Sequence, residues 1–333
     1  MTHTPRPPRI VRWLACSEQL LGQAAERLNA FNVFPVPDAD TGSNMHATMA
    51  AAHAAVDWED DGPVDIGATL ARAGAAALSS AQGNSGTLLA VMVAGMADPL
   101  RGLEALTAPA LAAALHRADT AARTALSDPR EGTMLSVLGV VRQSVAQTLR
   151  RAVAEDRPVE TRAVLEETVS ACVRDARTAV EATEWQLDEL SRAAVVDAGA
   201  VGLLLVFEAL RAVMLDEDPD TELTEGLHGY AEGITAEAAG AEGGVEVMCT
   251  IELDPIGAAT LRHRLTEVGD SVIVAPTRRG EDPQSPVPWR VHVHVPQAEA
   301  VESLLHEAGE PQDLRVSDLT GGHDDHAHAH GGR

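Results

Sequence analysis

Asp38 and Asp40 offer the chain's most distinctive chemistry, because two carboxylates two positions apart on one turn reach the same hard cation. They sit in LNAFNVFPVPDADTGSNM, residues 28–45, where Pro35 and Pro37 stiffen the approach and disfavour helix. Thr41, Gly42, Ser43 and Asn44 then open a helix, and the first N–H groups of a helix favour an anion. Magnesium prefers a few carboxylate oxygens together with phosphate oxygens to an all-protein cage. Carboxylates beside a helix start therefore suit a metal–phosphate site. An Asp-rich helix cap is the plainer reading of the same spacing.

Three further polar helix entrances follow. In SSAQGNSG, residues 79–86, Gly83, Asn84, Ser85 and Gly86 allow the backbone to approach an anion closely. Glu131, Gly132, Thr133 and Met134 open another helix, and Asp197 and Gly199 precede the apolar run at 203–207. Any one of these reads as an ordinary inter-helix turn. Four in one helical region suggest the rim of a single ligand site, although glycine in bundles also serves packing.

The elements that must hold these loops are helical. Leu21, Ala24, Ala25 and Leu28 share one face, with Ser17 as the expected N-cap. Similar patterns predict helices over 66–78, 88–96, 108–126, 134–153, 164–182 and 201–215. Residues 1–215 thus read as one all-α domain and 216–244, acidic and then Gly/Ala-rich, as a flexible linker. From Val245 the period becomes two, and residues 245–320 predict strand, helix, strand, strand, helix, strand: a ferredoxin-like α+β domain. Residues 321–333 are a His-rich tail, read as disordered; His323, His326, His328 and His330 offer loose metal binding or a solvated surface.

Composition narrows the choices. With 25 basic and 50 acidic residues the formal net charge is -25, which repels nucleic acid and anionic membranes. Every basic residue except histidine is Arg. Without Lys the chain has neither a Walker A loop nor Schiff-base chemistry, so metal ions, backbone amides or Arg must neutralise any phosphate. Cys16, Cys172 and Cys249 are too few and scattered for a disulfide framework, and the apolar runs are too short to span a bilayer. A cytoplasmic location is expected.

The four motifs together, in order across residues 10–215, resemble the ATP-binding L-subunit (DhaL) domain of dihydroxyacetone kinases, above all the version opening the A-type chain of fatty acid kinase. The resemblance implies a closed barrel of amphipathic helices with ATP at one end. It implies Mg²⁺ on Asp38 and Asp40, phosphates against Thr41, Ser43, Asn44 and the loop Gly83, Asn84, Ser85, Gly86, and the nucleoside beside Thr133, Met134, Asp197 and Gly199. A further carboxylate ligand has no counterpart; Asn32 is the candidate substitute. Residues 245–320 resemble the middle domain of the same fatty acid kinase chain, which implies a zinc-type site of Cys249, His292 and His294. From the residues alone, His292 and His294 share a strand face, whereas Cys249 reads equally well as a small buried hydrophobe.

Two departures from the family pattern bear on activity: Ala39 replaces the usual Gly between the aspartates, and Gln82 the usual Arg before GNSG. The family's further C-terminal domain lies beyond this sequence. The expected protein is a homodimeric phosphotransferase, the ATP·Mg²⁺-binding subunit of a two-component kinase. Its acceptor would be a fatty acid or dihydroxyacetone-like substrate presented by a separate protein. A catalytically weak nucleotide-binding adaptor, or a zinc-binding interaction module, are the alternatives.

Overall fold

Apolar residues recur at helical spacing from Ile10 to Met214, and aromatics supply only 2% of the sequence, so small side chains let the helices approach closely. In the computed structural model, described over residues 6–56, 64–230 and 244–319 except 279, 281 and 283, they form a closed ring. The elements are α1 (Arg9–Ala30), α2 (Thr41–Ala54), α3 (Ile66–Ser80), α4 (Gly83–Gly95), α5 (Ala108–Ala125), α6 (Met134–Ala154), α7 (Arg162–Thr183), α8 (Asp188–Ala193) and α9 (Ala198–Leu215). Each long helix packs on its successor, and α9 closes the ring by touching α7 and α1. Glycines permit that closeness: a Cβ on Gly202 would meet the Met45 sulfur at 2.5 Å.

Several expected boundaries move. The first helix begins eight residues before Ser17, which is buried mid-helix rather than a cap. Asp197 caps α9, accepting from Ala200 N at 2.6 Å. By length and composition α9 could cross a membrane, yet 89% of it is buried as the bundle's core helix.

The linker expected over 216–244 is corrected in its first half. Arg177 donates to the carbonyls of Leu223 and Glu225, and Asp220 N donates to the buried Glu208. Leu223, Leu227 and Tyr230 are buried, with the Tyr230 ring edge-on to Phe31 at 6.1 Å. Three apolar residues at helix-like spacing outweighed the acidic composition. Residues 231–243 and the His-rich tail lie outside the described residues.

The second domain carries β1 (Val245–Leu253), α10 (Pro255–Val268), β2 (Asp270–Pro276), β3 (Val287–Val295), α11 (Glu299–Ala308) and β4 (Gln312–Asp318). Its antiparallel sheet has the order β2-β3-β1-β4, the ferredoxin-like arrangement. Alternation divides the faces. Val247, Cys249, Ile251, Val272, Val274, Val291 and Val293 pack under α10 and α11, whereas Ile273 and Ala275 join the core of the helical ring. One sheet face is thus a lid on the ring's motif-bearing end. Replacing Leu227 by Ala should lower unfolding free energy by about 2–4 kcal/mol, the usual cost of a buried Leu. A denaturant titration showing less than about 0.5 kcal/mol would mean that residues 216–230 do behave as a linker.

Candidate functional site

After Ala30 the chain leaves α1 and crosses Pro35 and Pro37 before α2 starts at Thr41. Asp40 stands at the cap position without capping, so its carboxylate stays available. Asn32 Nδ2 donates to Asp38 Oδ1 at 2.6 Å; it orients that carboxylate rather than replacing one. Burial, the Asp40 charge and the Glu246 charge push the Asp38 pKa up to about 8. Burial raises Asp40 as well, against hydrogen bonds from Asp38 and Asn44. Two half-buried carboxyls, both raised by desolvation and Asp38 also by the Asp40 charge, form a donor set that a hard divalent cation would relieve.

Ala39, between them, lies at φ 55°, the left-handed region that favours glycine. The departure at Ala39 therefore carries backbone strain.

The four entrances interlock. Gly83 adopts φ +60°, and a Cβ there would sit 2.2 Å from Asn44 Nδ2. A Cβ on Gly86 would lie 2.9 Å from the Asn44 carbonyl, and the Thr41 and Ser85 hydroxyls are 3.4 Å apart. The other two loops meet where a Cβ on Gly199 would lie 3.1 Å from the Met134 sulfur. Thr133 caps α6 through Leu135 N at 3.3 Å. A cavity of about 400 Å³ is lined by Asn84, Ser85, Thr133, Met134 and Asp197, uniting three of the four motifs. The interlock with Thr41 and Asn44 ties the Asp38/Asp40 turn to its edge. Burial raises the Asp197 pKa to about 7, opposed by the Ala200 N–H.

The first amides of α2 do not stand open as their position alone suggests. Asn29 Oδ1 accepts from Gly42 N at 2.7 Å and Ser43 N at 3.1 Å, and Asn29 Nδ2 donates to Ser43 Oγ. Gly42 is pressed against α1, where a Cβ would meet the Ala25 carbonyl at 2.3 Å. Ser43 is exposed. Gly83 N donates to Glu246 Oε1 at 3.1 Å, so the GNSG loop holds a carboxylate from the second domain.

That carboxylate corrects the expected zinc-type set. Glu246 pairs with His294 and Met248 with His292 across β1 and β3, so Glu246, His292 and His294 face the ring. Their ligand atoms lie within 4.8 Å of one another. Cys249 is one residue out of phase, on the opposite face among Val247 and Ile251, and burial raises its thiol to about 12. It is not part of the cluster. His292 is wholly buried and neither ring nitrogen has a hydrogen-bond partner; its Nδ1 is 3.1 Å from Glu246 Oε1 but outside bonding geometry. Burial and the neighbouring His292 hold His294 down to about 3, in its neutral metal-binding form. Burial acts to raise Glu246, but the two histidines and Gly83 N–H outweigh it and hold it low.

Sequence reasoning missed Asn29, Glu246 and Arg290. Alternation along β1 could have signalled Glu246, which with Glu252 is in phase with the His-x-His face and is the one paired across from His294. Arg290 is buried and donates to the Ala81 carbonyl at 3.0 Å, bringing a guanidinium beside the loop in which Gln82 replaces Arg.

Residues 35–212 match the DAK2 domain. The chain belongs to the DAK2-domain family. Residues 242–326 match the FakA-like middle domain of the fatty acid kinases, so the DAK2 region and this domain together make it a kinase-related chain of the dihydroxyacetone and fatty acid kinase group. Protein YloV of Bacillus subtilis (strain 168) is 26% identical over 313 residues, covering 90% of this chain and 53% of that protein. An uncharacterized Staphylococcus saprophyticus protein, SSP1546, is 30% identical over 190 residues, 57% of this chain and 32% of its own length. The chain spans about half the length of YloV and a third of SSP1546. The native dihydroxyacetone kinase of C. freundii overlaps 62% of this chain and 35% of its own, with TM-score 0.41 and 20% identity.

Two outcomes follow from the loop geometry. Ala39→Gly should raise stability by about 0.5–1 kcal/mol by relieving a left-handed non-glycine. The raised Asp38 contributes stability that is full below pH about 4 and is lost as pH rises through about 8. Metal-free Asp38→Asn should therefore show a flatter stability–pH curve over that window. Parallel curves for wild type and variant would contradict the raised Asp38 carboxyl.

Proposed function

We propose that the chain is the ATP·Mg²⁺-binding subunit of a two-component kinase that passes the γ-phosphoryl group to an acceptor on a separate protein. The acceptor is a fatty acid carboxylate or a dihydroxyacetone-like substrate. The observation that carries the reading is the gathering of three helix-entrance motifs on one cavity, to whose edge the Asp38/Asp40 turn is tied through Thr41 and Ser85.

Asp38 and Asp40 would hold the magnesium, which supplies charge neutralisation along the triphosphate. Asn32 and Asn44 orient the two carboxylates. Gly83 and Gly86 bring the GNSG backbone close enough to cradle phosphate oxygens, and Ser85 and Thr41 add hydroxyls on the same side. Thr133, Met134 and Asp197 flank the more apolar end, suited to the nucleoside. Phosphoryl transfer demands in-line placement and charge neutralisation rather than covalent help, which fits a site built of carboxylates, amides and hydroxyls.

Glu246, His292 and His294 suit a divalent transition ion such as zinc: two neutral imidazoles and a carboxylate, with a further position open. This donor set replaces the cysteine-containing one. A homodimer through the second domain and a cytoplasmic location belong to the same proposal; the exposed edge strand β4 is the surface for such pairing.

A nucleotide-responsive adaptor is the second reading, favoured by strained Ala39 and by Glu246 on the amide of Gly83. ATP with Mg²⁺ at about 100 times Kd should stabilise wild type by about 2.7 kcal/mol, and stabilise Asp38→Asn far less. Equal stabilisation of both proteins would sink the carboxylate role. ATP consumption with a lipid-carrying partner that is lost in Asp40→Asn marks the kinase; nucleotide binding without consumption marks the adaptor. Metal analysis should find about one zinc per chain, lost in His292→Ala.

A further inference from the structure

The cavity that gathers the helix entrances has a wall made by the other domain. Thr266 at the end of α10 and Gly269, Asp270, Ser271, Val272 and Ile273 leading into β2 line it together with Met134 and Asp197. β2 is irregular at this wall. Its register against β3 shifts between Asp270 and Ile273, and Ser271 lies at φ 53°, the left-handed region. A non-glycine there is strained, and bulges and strained residues concentrate where a chain is re-aimed at a ligand.

The wall is fixed to the ring. Leu126 bridges to Ile273, and Ser127 N donates to the Val272 carbonyl at 3.1 Å. Arg262 of α10 also donates to the Thr124 carbonyl. The bulge is thus hydrogen-bonded to the chain leaving α5, which runs on to Thr133. Polarity is graded along the cavity: Asn84 and Ser85 supply polar lining at the end tied to Thr41, while Phe34, Leu126, Met134 and Ile273 supply apolar lining. A cavity of about 400 Å³ falls in the range that holds a small organic ligand.

We propose that Thr266 and the β2 bulge at Ser271 form the nucleoside half of the nucleotide site. The second domain then selects the base-bearing end of a nucleoside triphosphate, while the helical ring holds its phosphates. This rests on the reading that the cavity takes ATP·Mg²⁺, and it adds residues outside the helical domain to that site.

The test uses the full chain and calorimetric titration with two ligands, Mg·ATP and Mg·tripolyphosphate, the second lacking any nucleoside. Wild type should bind Mg·ATP more tightly. Thr266→Trp, at an exposed position on the cavity wall, should weaken Mg·ATP by about tenfold or more and leave Mg·tripolyphosphate within about twofold. Ser271→Gly, which the left-handed backbone accepts without strain, should weaken Mg·ATP by about threefold and spare Mg·tripolyphosphate. Variants that leave Mg·ATP binding unchanged, or weaken both ligands alike, overturn the proposal while the phosphate site stands. A wild type that binds neither ligand overturns the ATP reading itself.

Discussion

Two carboxyls held together partly out of water are the constraint around which this molecule is arranged. Asp38 and Asp40 are mostly buried beside each other, with Glu246 adding a third negative charge from another domain. Hydrophobic burial elsewhere must offset that desolvation, and the tightly closed ring with its core helix α9 supplies it. Such an arrangement gains most from a divalent cation, and a cation held there gains most from a polyanion. The chemistry follows from an electrostatic conflict that folding alone leaves unrelieved.

The surrounding structure transmits precision to that spot. Asn29 in the last turn of α1 and Asn32 just beyond it fix the start of α2 and the Asp38 carboxylate respectively. Gly83, Gly86 and Gly199 permit contacts that any Cβ would obstruct. Strand alternation in the second domain then sorts its residues in two directions. Val247, Cys249 and Val291 build a private core, while Glu246, Arg290, His292 and His294 are presented to the helical ring. The sheet is both a covering layer and a source of charged and metal-ligating groups.

Much of this was legible in the residues. Helical periodicity located most of the helices because their apolar faces are long and regular, and period-two alternation located the strands. The four polar helix entrances stood out because their residue types are wasteful for packing alone. Other features depend on tertiary contact. Ser17 looked like a cap because Ser is a good one, yet Ile10, Trp13 and Leu14 extend the apolar face in front of it. Acidic residues hid the packing of Leu223, Leu227 and Tyr230. The phase of Cys249 was readable by counting along β1, but which face meets the ring required the register with β3. Contacts such as Glu246 with Gly83 and Arg290 with Ala81 join residues more than 160 positions apart, and no local pattern signals them.

The claim beneath all of this is that the Asp38/Asp40 pair grips a divalent ion that in turn grips a triphosphate. A crystal of the full chain with Mn²⁺ and a non-hydrolysable ATP analogue tests it most directly, because manganese gives an anomalous signal at its own position. The account requires a manganese peak about 2.1 Å from oxygens of Asp38 and Asp40 and from phosphate oxygens of the analogue. Nucleotide bound with no metal on the aspartates, or metal found only on Glu246, His292 and His294, would contradict it.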